Sequence, residues 1–323
     1  MKKNLKVNIS WLILFIAAYA ILSLLIQFGI FNDFMVQIIT QIGINIILAV
    51  GLNVIIGFAG QFSLGHAGFM LIGAYSGAII GGQTGTYLGF FLAMLVGMVI
   101  AGLAALIVGV PTLRLKGDYL AIATLGVAEI FRILVINGGS LTNGAAGMTG
   151  IPLFTSWQMV YVFVIITTIL SLNFGLSANG RGIRAVRDDE IAAESVGVNA
   201  TKVKVTAFVF GAVTASIAGT LYSGFIGTVT PKDFTFMNSV NILIIVVFGG
   251  LGSVTGSIVG AVVLGILNMF LQDFGSLRMI IYSLILILIM IFRPGGLLGL
   301  SEFQLSKIIN RKPKSSAAKE VNK

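Results

Sequence analysis

Apolar runs close to twenty residues long follow one another through most of this chain, separated by short polar breaks. Seven stand clear: Trp11–Ile30, Met35–Ile56, Phe62–Ile80, Tyr87–Val110, Asp118–Asn137, Trp157–Leu176 and Val205–Val229. A longer apolar region, Phe234–Phe274, and a last run, Leu277–Phe292, complete the series. A helix of about 20 apolar residues crosses the roughly 30 Å hydrocarbon core of a bilayer. The pattern therefore predicts an all-α integral membrane protein, with residues 1–300 forming a single polytopic domain. The first run contains Ala18-Tyr19-Ala20, a signal-peptide-like cleavage site, but continues past it to Ile30. An uncleaved first helix is the expectation that its length supports.

Inside Phe234–Phe274 the hydrophobicity is broken by Gly249-Gly250-Leu251-Gly252-Ser253. Whether this region crosses once or twice is decided by charge. Lys2, Lys3 and Lys6 precede the first run, Arg114 and Lys116 follow the fourth, and five basic residues lie between Arg181 and Lys204. Seven more end the chain, so these groups hold seventeen of the twenty lysines and arginines. Basic loops mark the cytoplasmic side, and the tail joins that side only if the number of crossings is even. Ten crossings satisfy this; nine do not. The predicted architecture is thus about ten transmembrane helices with a glycine-interrupted eighth and ninth pair, broken at Gly249, Gly250 and Gly252 on the cytoplasmic side. Such a break is tolerated where its freed backbone groups face protein, so it is expected to be buried. Both termini would be cytoplasmic, and residues 301–323 would form a basic, disordered tail.

Composition removes several alternatives. Hydrophobic residues make up 57% of 323 positions and charged residues only 10%, and mean hydropathy is +1.04. There is no cysteine and one histidine, so no disulfide, thiolate site or multi-histidine metal centre is expected. The net charge of +9 is placed as a topology signal, not as a nucleic-acid surface. The phosphate-loop pattern GxxxxGK[ST] does not occur, nor do HExxH or GxSxG. No cofactor is expected, and translocation across a lipid membrane, not catalysis, is the default function. Small residues recur every four positions, as in Gly73, Gly77, Gly81 and Gly211, Ala215, Gly219. Static close packing is the preferred reading over a sliding surface, because lipid-embedded helices associate generally through small residues.

The charge that remains is concentrated in "RGIRAVRDDEIAAESVGVN", Arg181–Asn199. Arg181, Arg184 and Arg187 recur every three residues, one helix face. Asp188 or Asp189 suits the cap of a new helix, and Gly197 suits its end. On that helix Arg187, Glu190 and Glu194 would share one face, with Ile191, Ala192, Ser195 and Val196 opposite. At about eight residues it is too short to stand alone. The positive-inside rule explains the arginines but not the acids, which contribute little to orientation. A capped helix docking into a cleft on another protein accounts for both.

This loop resembles the cytoplasmic loop of branched-chain amino-acid ABC transporter permeases of the LivM type. The resemblance extends to "GLNVIIGFAGQFSLGHAGFMLIGAY" (Gly51–Tyr75), "RLKGDYLAIATLGVAEIFR" (Arg114–Arg132), "TNGAAGMTGIP" (Thr142–Pro152), "TPKDFTFMNSVNILIIVVFGGLGSVTGSIVGA" (Thr230–Ala261) and "FRPGGLLG" (Phe292–Gly299). It implies a permease domain in the cytoplasmic (inner) membrane of a bacterium. Its partners would be a second, LivH-type permease subunit, two cytoplasmic ABC ATPase subunits and an extracytoplasmic substrate-binding protein. Loop 177–204 would be the coupling loop, seating an ATPase through Arg184, Arg187, Asp188, Asp189, Glu190, Ala192, Ala193, Glu194, Val196 and Gly197. Urea and short-amide permeases share much the same blocks. An ion-gradient-driven secondary transporter is the alternative from another class.

Five polar residues are candidates for a translocation path: Ser63, His66, Glu129, Arg132 and Asn143. Glu129 and Arg132 lie three apart on one apolar run, close enough to pair. A polar lining for a zwitterionic substrate and an internally neutralised packing pair both fit. His66 has no second histidine for a relay, which favours a hydrogen-bonded structural histidine. Asn53 and Asn241 are expected to bond across helices.

Overall fold

In the computed structural model, residues 2–299 are described apart from Lys116, Ser276 and Pro294. The basic tail expected at 301–323 lies outside the described residues. These residues form thirteen α-helices, several short 3-10 and π-helical segments, and one pair of two-residue strands.

Helix α1, Lys2–Gln27, belongs to a compact unit distinct from residues 33–301. The second unit begins with α2 (Asp33–Asn53), which runs directly into a π-helical turn, Val54–Phe58. After an irregular stretch, α3 (His66–Ser76) continues through a second π turn, Gly77–Gly81, into the single turn α4 (Gly82–Thr84). Two long helices follow, α5 (Tyr87–Thr112) and α6 (Asp118–Ile136), then α7 (Trp157–Leu176). The charged loop holds α8 (Ala178–Asp188) and α9 (Glu190–Ser195) and leads into the 27-residue α10 (Ala200–Ile226). Last come α11 (Phe236–Gly249), α12 (Val254–Phe270) and α13 (Leu277–Phe292). Polar caps start several of these helices where the apolar run begins. Thr86, Ser156, Ser177, Asn199 and Ser253 each accept a bond from a backbone N–H three residues on.

Among the described residues, five helices are long and apolar enough to cross a membrane: Asp33–Phe58, Tyr87–Thr112, Asp118–Ile136, Trp157–Leu176 and Ala200–Ile226. Helices α11 and α12 pass the same test only together, and they bend by 116° at the break between them.

The packing inverts the rule of water-soluble proteins. Helix α5 turns Gly89, Ala93, Gly97, Ala101, Ala105 and Gly109 inward. It turns Leu88, Leu92, Leu95, Val99, Leu103 and Ile107 outward. In water such a face would drive aggregation; lipid tails accept it at no cost, and small inward residues let helix backbones approach.

The centre of the unit is α2 and α10. Helix α10 packs on α2, α3 and α5, and α2 also packs on α7, α11 and α12. Contact between α3 and α10 is backbone to backbone. A Cβ on Gly73 would lie 1.9 Å from the Ser216 carbonyl oxygen, and one on Gly219 would lie 1.9 Å from that of Met70. The Thr220 hydroxyl adds a bond to the Gly73 carbonyl at 2.9 Å. Far from the charged loop, Met148 and Thr149 pair antiparallel with Val229 and Thr228. Helix α10 separates these two ends by about 40 Å, from its length and the rise per residue.

Gly73→Ala or Gly219→Ala is expected to cost at least about 3 kcal/mol, the upper end for overpacking, because only rigid backbone is available to move. Gly126→Ala on α6, where a Cβ meets nothing within 4 Å, is expected to be neutral or stabilising by up to about 1 kcal/mol. Thermal melting of the detergent-purified protein distinguishes the two.

Candidate coupling face and helix break

The charged loop is built from two helices that change direction at one residue. Helix α8 ends at Asp188, Asp189 is extended (φ −155°, ψ 109°), and its carboxylate accepts the Ala192 N–H at 3.0 Å. Helix α9 is therefore capped by Asp189 and is only six residues long, shorter than the eight expected. The Gly197 φ of +88° closes it.

This change of direction corrects the expected charged face. Arg187 lies on α8, so it does not share a helix with Glu190 and Glu194. Its Nη1 instead donates to the Gly57 carbonyl at 2.9 Å, and its Nη2 and Nε hold Asp188 at 2.8 and 3.0 Å. Arg184 stacks over the Phe58 ring at 4.8 Å, and Arg181 donates to the Leu176 carbonyl at 2.9 Å. Glu190 pairs with Lys204 of α10 at 2.6 Å, and Ala193 is buried. These side chains hold the loop to its own bundle. What faces outward on α9 is Ile191 and Val196, 80% and 79% exposed, with Ala192, Glu194 and Gly197 beside them. A shallow cavity of about 190 Å³ lies next to α9, lined by Gln61, Leu113, Leu120, Arg187, Glu190 and Lys204 among others.

The glycine break sits where α11 stops. Gly250 and Gly252 take φ of +122° and +85°, open to glycine without steric cost. Several of the polar backbone groups freed there find protein partners. The carbonyls of Phe248 and Gly249 accept from Leu297 and Leu298 at 2.9 and 3.3 Å. Asn53, fully buried, accepts from the Gly252 N–H at 2.8 Å and donates to the Ser253 carbonyl at 2.7 Å. The expected cross-helix bond of Asn53 is thus made to the break itself. Asn241 is exposed and makes no such bond among the described residues.

The candidate path residues lie at the start of α3, on α6 and in the loop that follows α6. Ser63 and His66 are buried at the start of α3, whose Gly65 and Gly68 press on Thr124 and Ala128 of α6. Glu129 and Arg132 occupy the next turn of α6 as a bidentate pair, Nε reaching the two carboxylate oxygens at 3.0 and 2.9 Å and Nη2 closing the fork. No hydrogen bond links this pair to Ser63 or His66 among the described residues. His66 is not the hydrogen-bonded histidine expected: it lies beside the Leu48 backbone, but neither ring nitrogen reaches a partner of normal geometry. The side-chain amide of Gln61, also buried, has none either. Asn143 lies in the loop before the short strand pair. It is the one described non-glycine residue with positive φ, +57°, and donates to the Gly147 carbonyl at 2.7 Å. Asparagine tolerates this left-handed geometry better than most residues, so it shapes a turn. Sequence reasoning missed the burial of Gln61, the pairing of Lys204 with Glu190 and the π turn, since spacing along the chain signals none of them.

A helical membrane bundle with lipid-compatible outer faces and an exposed capped helix on its basic loop has the features of a membrane permease subunit. The comparisons give the family. Residues 34–292 match the branched-chain amino acid transport system permease component family, and the chain belongs to it. It is similar to the high-affinity branched-chain amino acid transport system permease protein LivM of Escherichia coli, 36% identical over 66% of this chain and 57% of the relative. LivM of Salmonella typhimurium is 36% identical over 62% of this chain and 55% of the relative. LivH of Salmonella typhimurium is 28% identical over 62% of this chain and 65% of the relative. The matched stretch therefore spans little more than half of each LivM relative. No solved structure matches the chain.

Arg132→Gln is expected to leave Glu129 unpaired on an apolar helix, costing about 3 kcal/mol. The double variant Glu129→Gln, Arg132→Gln is expected to recover most of that loss, read as the amount of folded protein extracted from membranes.

Proposed function

We propose that the chain is the transmembrane permease subunit of an ATP-binding-cassette importer that moves branched-chain amino acids inward across a bacterial cytoplasmic membrane. The observation that carries the reading is α9. It is a capped helix held to the bundle by Glu190 and Ala193, and its remaining face is exposed and partly apolar in a chain with no phosphate loop of its own. Such a face suits a separate cytoplasmic ATPase subunit, and two of these would serve a pair of permeases. The likeness to the LivM and LivH permease proteins of branched-chain amino acid transport supports a LivH-type partner subunit and a branched-chain substrate. An extracytoplasmic binding protein would deliver that substrate.

In this reading the chain crosses ten times with both termini cytoplasmic. The residues 66–84 run, through α3 and α4, supplies one crossing beyond the five long helices. Helices α11 and α12 supply the interrupted eighth and ninth. Helix α11 has 14 residues and rises about 21 Å, short of the roughly 30 Å core. Its start is supported by the 3-10 turn Pro231–Phe234, with both end residues buried. The docking surface is Asp188, Ile191, Ala192, Glu194, Val196 and Gly197. Ser63, His66 and the Glu129–Arg132 pair border the path, because ionisable groups on a spanning helix face protein or a polar cavity, not lipid.

Glu194→Lys is expected to weaken ATPase co-purification at least tenfold while the permease still inserts, since Glu194 is exposed and its carboxylate forms no ion pair among the described residues. In vesicles with purified partners, uptake of labelled leucine is expected to need ATP and to exceed uptake of urea. ATP-independent uptake would point to a gradient-driven transporter, and urea preference would change only the substrate. The Glu129→Gln, Arg132→Gln double variant is expected to assemble normally yet take up leucine several-fold more slowly; unchanged uptake removes the pair from the path.

A further inference from the structure

Between the docking helix and the helix break lies one short piece of chain, the π-helical turn Val54–Phe58 at the end of α2. On one side it is held by α8. Arg187 donates to the carbonyl of Gly57, Arg184 covers Phe58, and a Cβ on Gly60 would lie 2.7 Å from the Arg187 side chain. On its other side it presses on the break. A Cβ on Gly57 would lie 2.3 Å from the Gly252 nitrogen and 2.1 Å from the Asn53 side-chain oxygen. Asn53, the residue just before the π turn, grips Gly252 and Ser253 with both ends of its amide. The carbonyls beside that grip are closed in turn by Leu297 and Leu298. A line of hydrogen bonds and contacts thus runs from α8, which leads into α9, to the one strongly bent pair of apolar helices among the described residues.

Two properties of this segment favour movement over static packing. A π turn holds one more residue than the α-helix around it, is uncommon, and collects at functional sites. It passes to α geometry by a one-residue shift in hydrogen bonding, which gives two discrete arrangements of the kind that carry coupling. Just after it, the side-chain amide of Gln61 is buried with no protein hydrogen-bond partner among the described residues, a polar group that an altered turn is free to pair.

We propose that Val54–Phe58 is the joint that carries movement of the docked α9 helix to the 250–253 break, with Arg187 and Asn53 as its two positioning residues. The proposal rests on α9 being the ATPase seat. A purely structural role for the two residues predicts changes in stability alone; a joint predicts loss of coupling in a protein that still assembles.

The test uses the complete transporter, permease pair and ATPases together, in proteoliposomes. Since the chain has no cysteine, spin labels can be placed by Lys202→Cys, just after α9, and Leu251→Cys, at exposed positions outside the proposed docking surface, and their separation measured with and without trapped ATP. In the otherwise wild-type chain the separation is expected to change with nucleotide. In Arg187→Ala and Asn53→Ala, ATPase binding and hydrolysis are expected to stay within twofold of wild type. Leucine taken up per ATP is expected to fall at least tenfold, and the nucleotide-dependent change in separation to disappear. Arg187→Lys, which retains a donor for the Gly57 carbonyl, is expected to restore coupling to within threefold. Arg187 lies at the loop surface, so its variants decide the matter even if Asn53→Ala fails to insert. Uptake per ATP within twofold of wild type in Arg187→Ala overturns the joint alone. If the ATPases do not bind the wild-type chain, the docking reading fails and the joint falls with it.

Discussion

A helix that stops inside apolar surroundings must hand its last carbonyls to other protein groups, because each one left bare there costs several kcal/mol. The arrangement around α11 follows from that constraint. Its carbonyls at Phe248 and Gly249 go to Leu297 and Leu298, drawing the chain after α13 back to the break. The turn that follows is closed by Asn53 from α2. One interruption therefore brings together three stretches far apart in sequence, and the glycines at the break allow their backbones to meet.

The same economy governs the rest of the bundle. With lipid outside, burial of large apolar residues offers no driving force between helices, so contact depends on backbone proximity. Helix α10 meets α3 where Gly73 and Gly219 leave no room for a side chain, and α5 faces inward with glycine and alanine alone along much of its length. Most large residues of α5 point out, with Phe90 and Met94 near its start turned inward. A surface of this kind is uniform around most of the unit, and α9 stands apart from it: short, charged, capped, and tied inward by an ion pair to α10. The features that single it out are those a soluble partner would recognise.

Much of this was legible in the residue pattern. The limits of α5, α6 and α7 fall within a few residues of the apolar runs that predict them, and the cap at Asp189 follows from a short polar side chain ahead of an apolar stretch. The charged face failed for a definite reason. Helical spacing was carried from Arg187 across Asp189, but the cap itself turns the chain, and residues on its two sides no longer share an axis. His66 failed differently. A lone histidine in an apolar run must be paired or exposed on general grounds, and nothing in the sequence signals that its neighbours offer no partner.

Alternation of long apolar runs with basic loops carries the membrane class, the helical architecture and the side on which charge collects, because hydrophobic length and positive charge act locally and additively along the chain. The family blocks, read in order, point to a permease. Which side chains turn inward is another matter. That Arg187 reaches Gly57, that Asn53 closes a break two hundred residues away, and that a π turn lies between them all depend on which helices come to lie side by side. Those neighbours are chosen by close packing among many similar small-residue faces, a collective property that no single stretch of sequence contains.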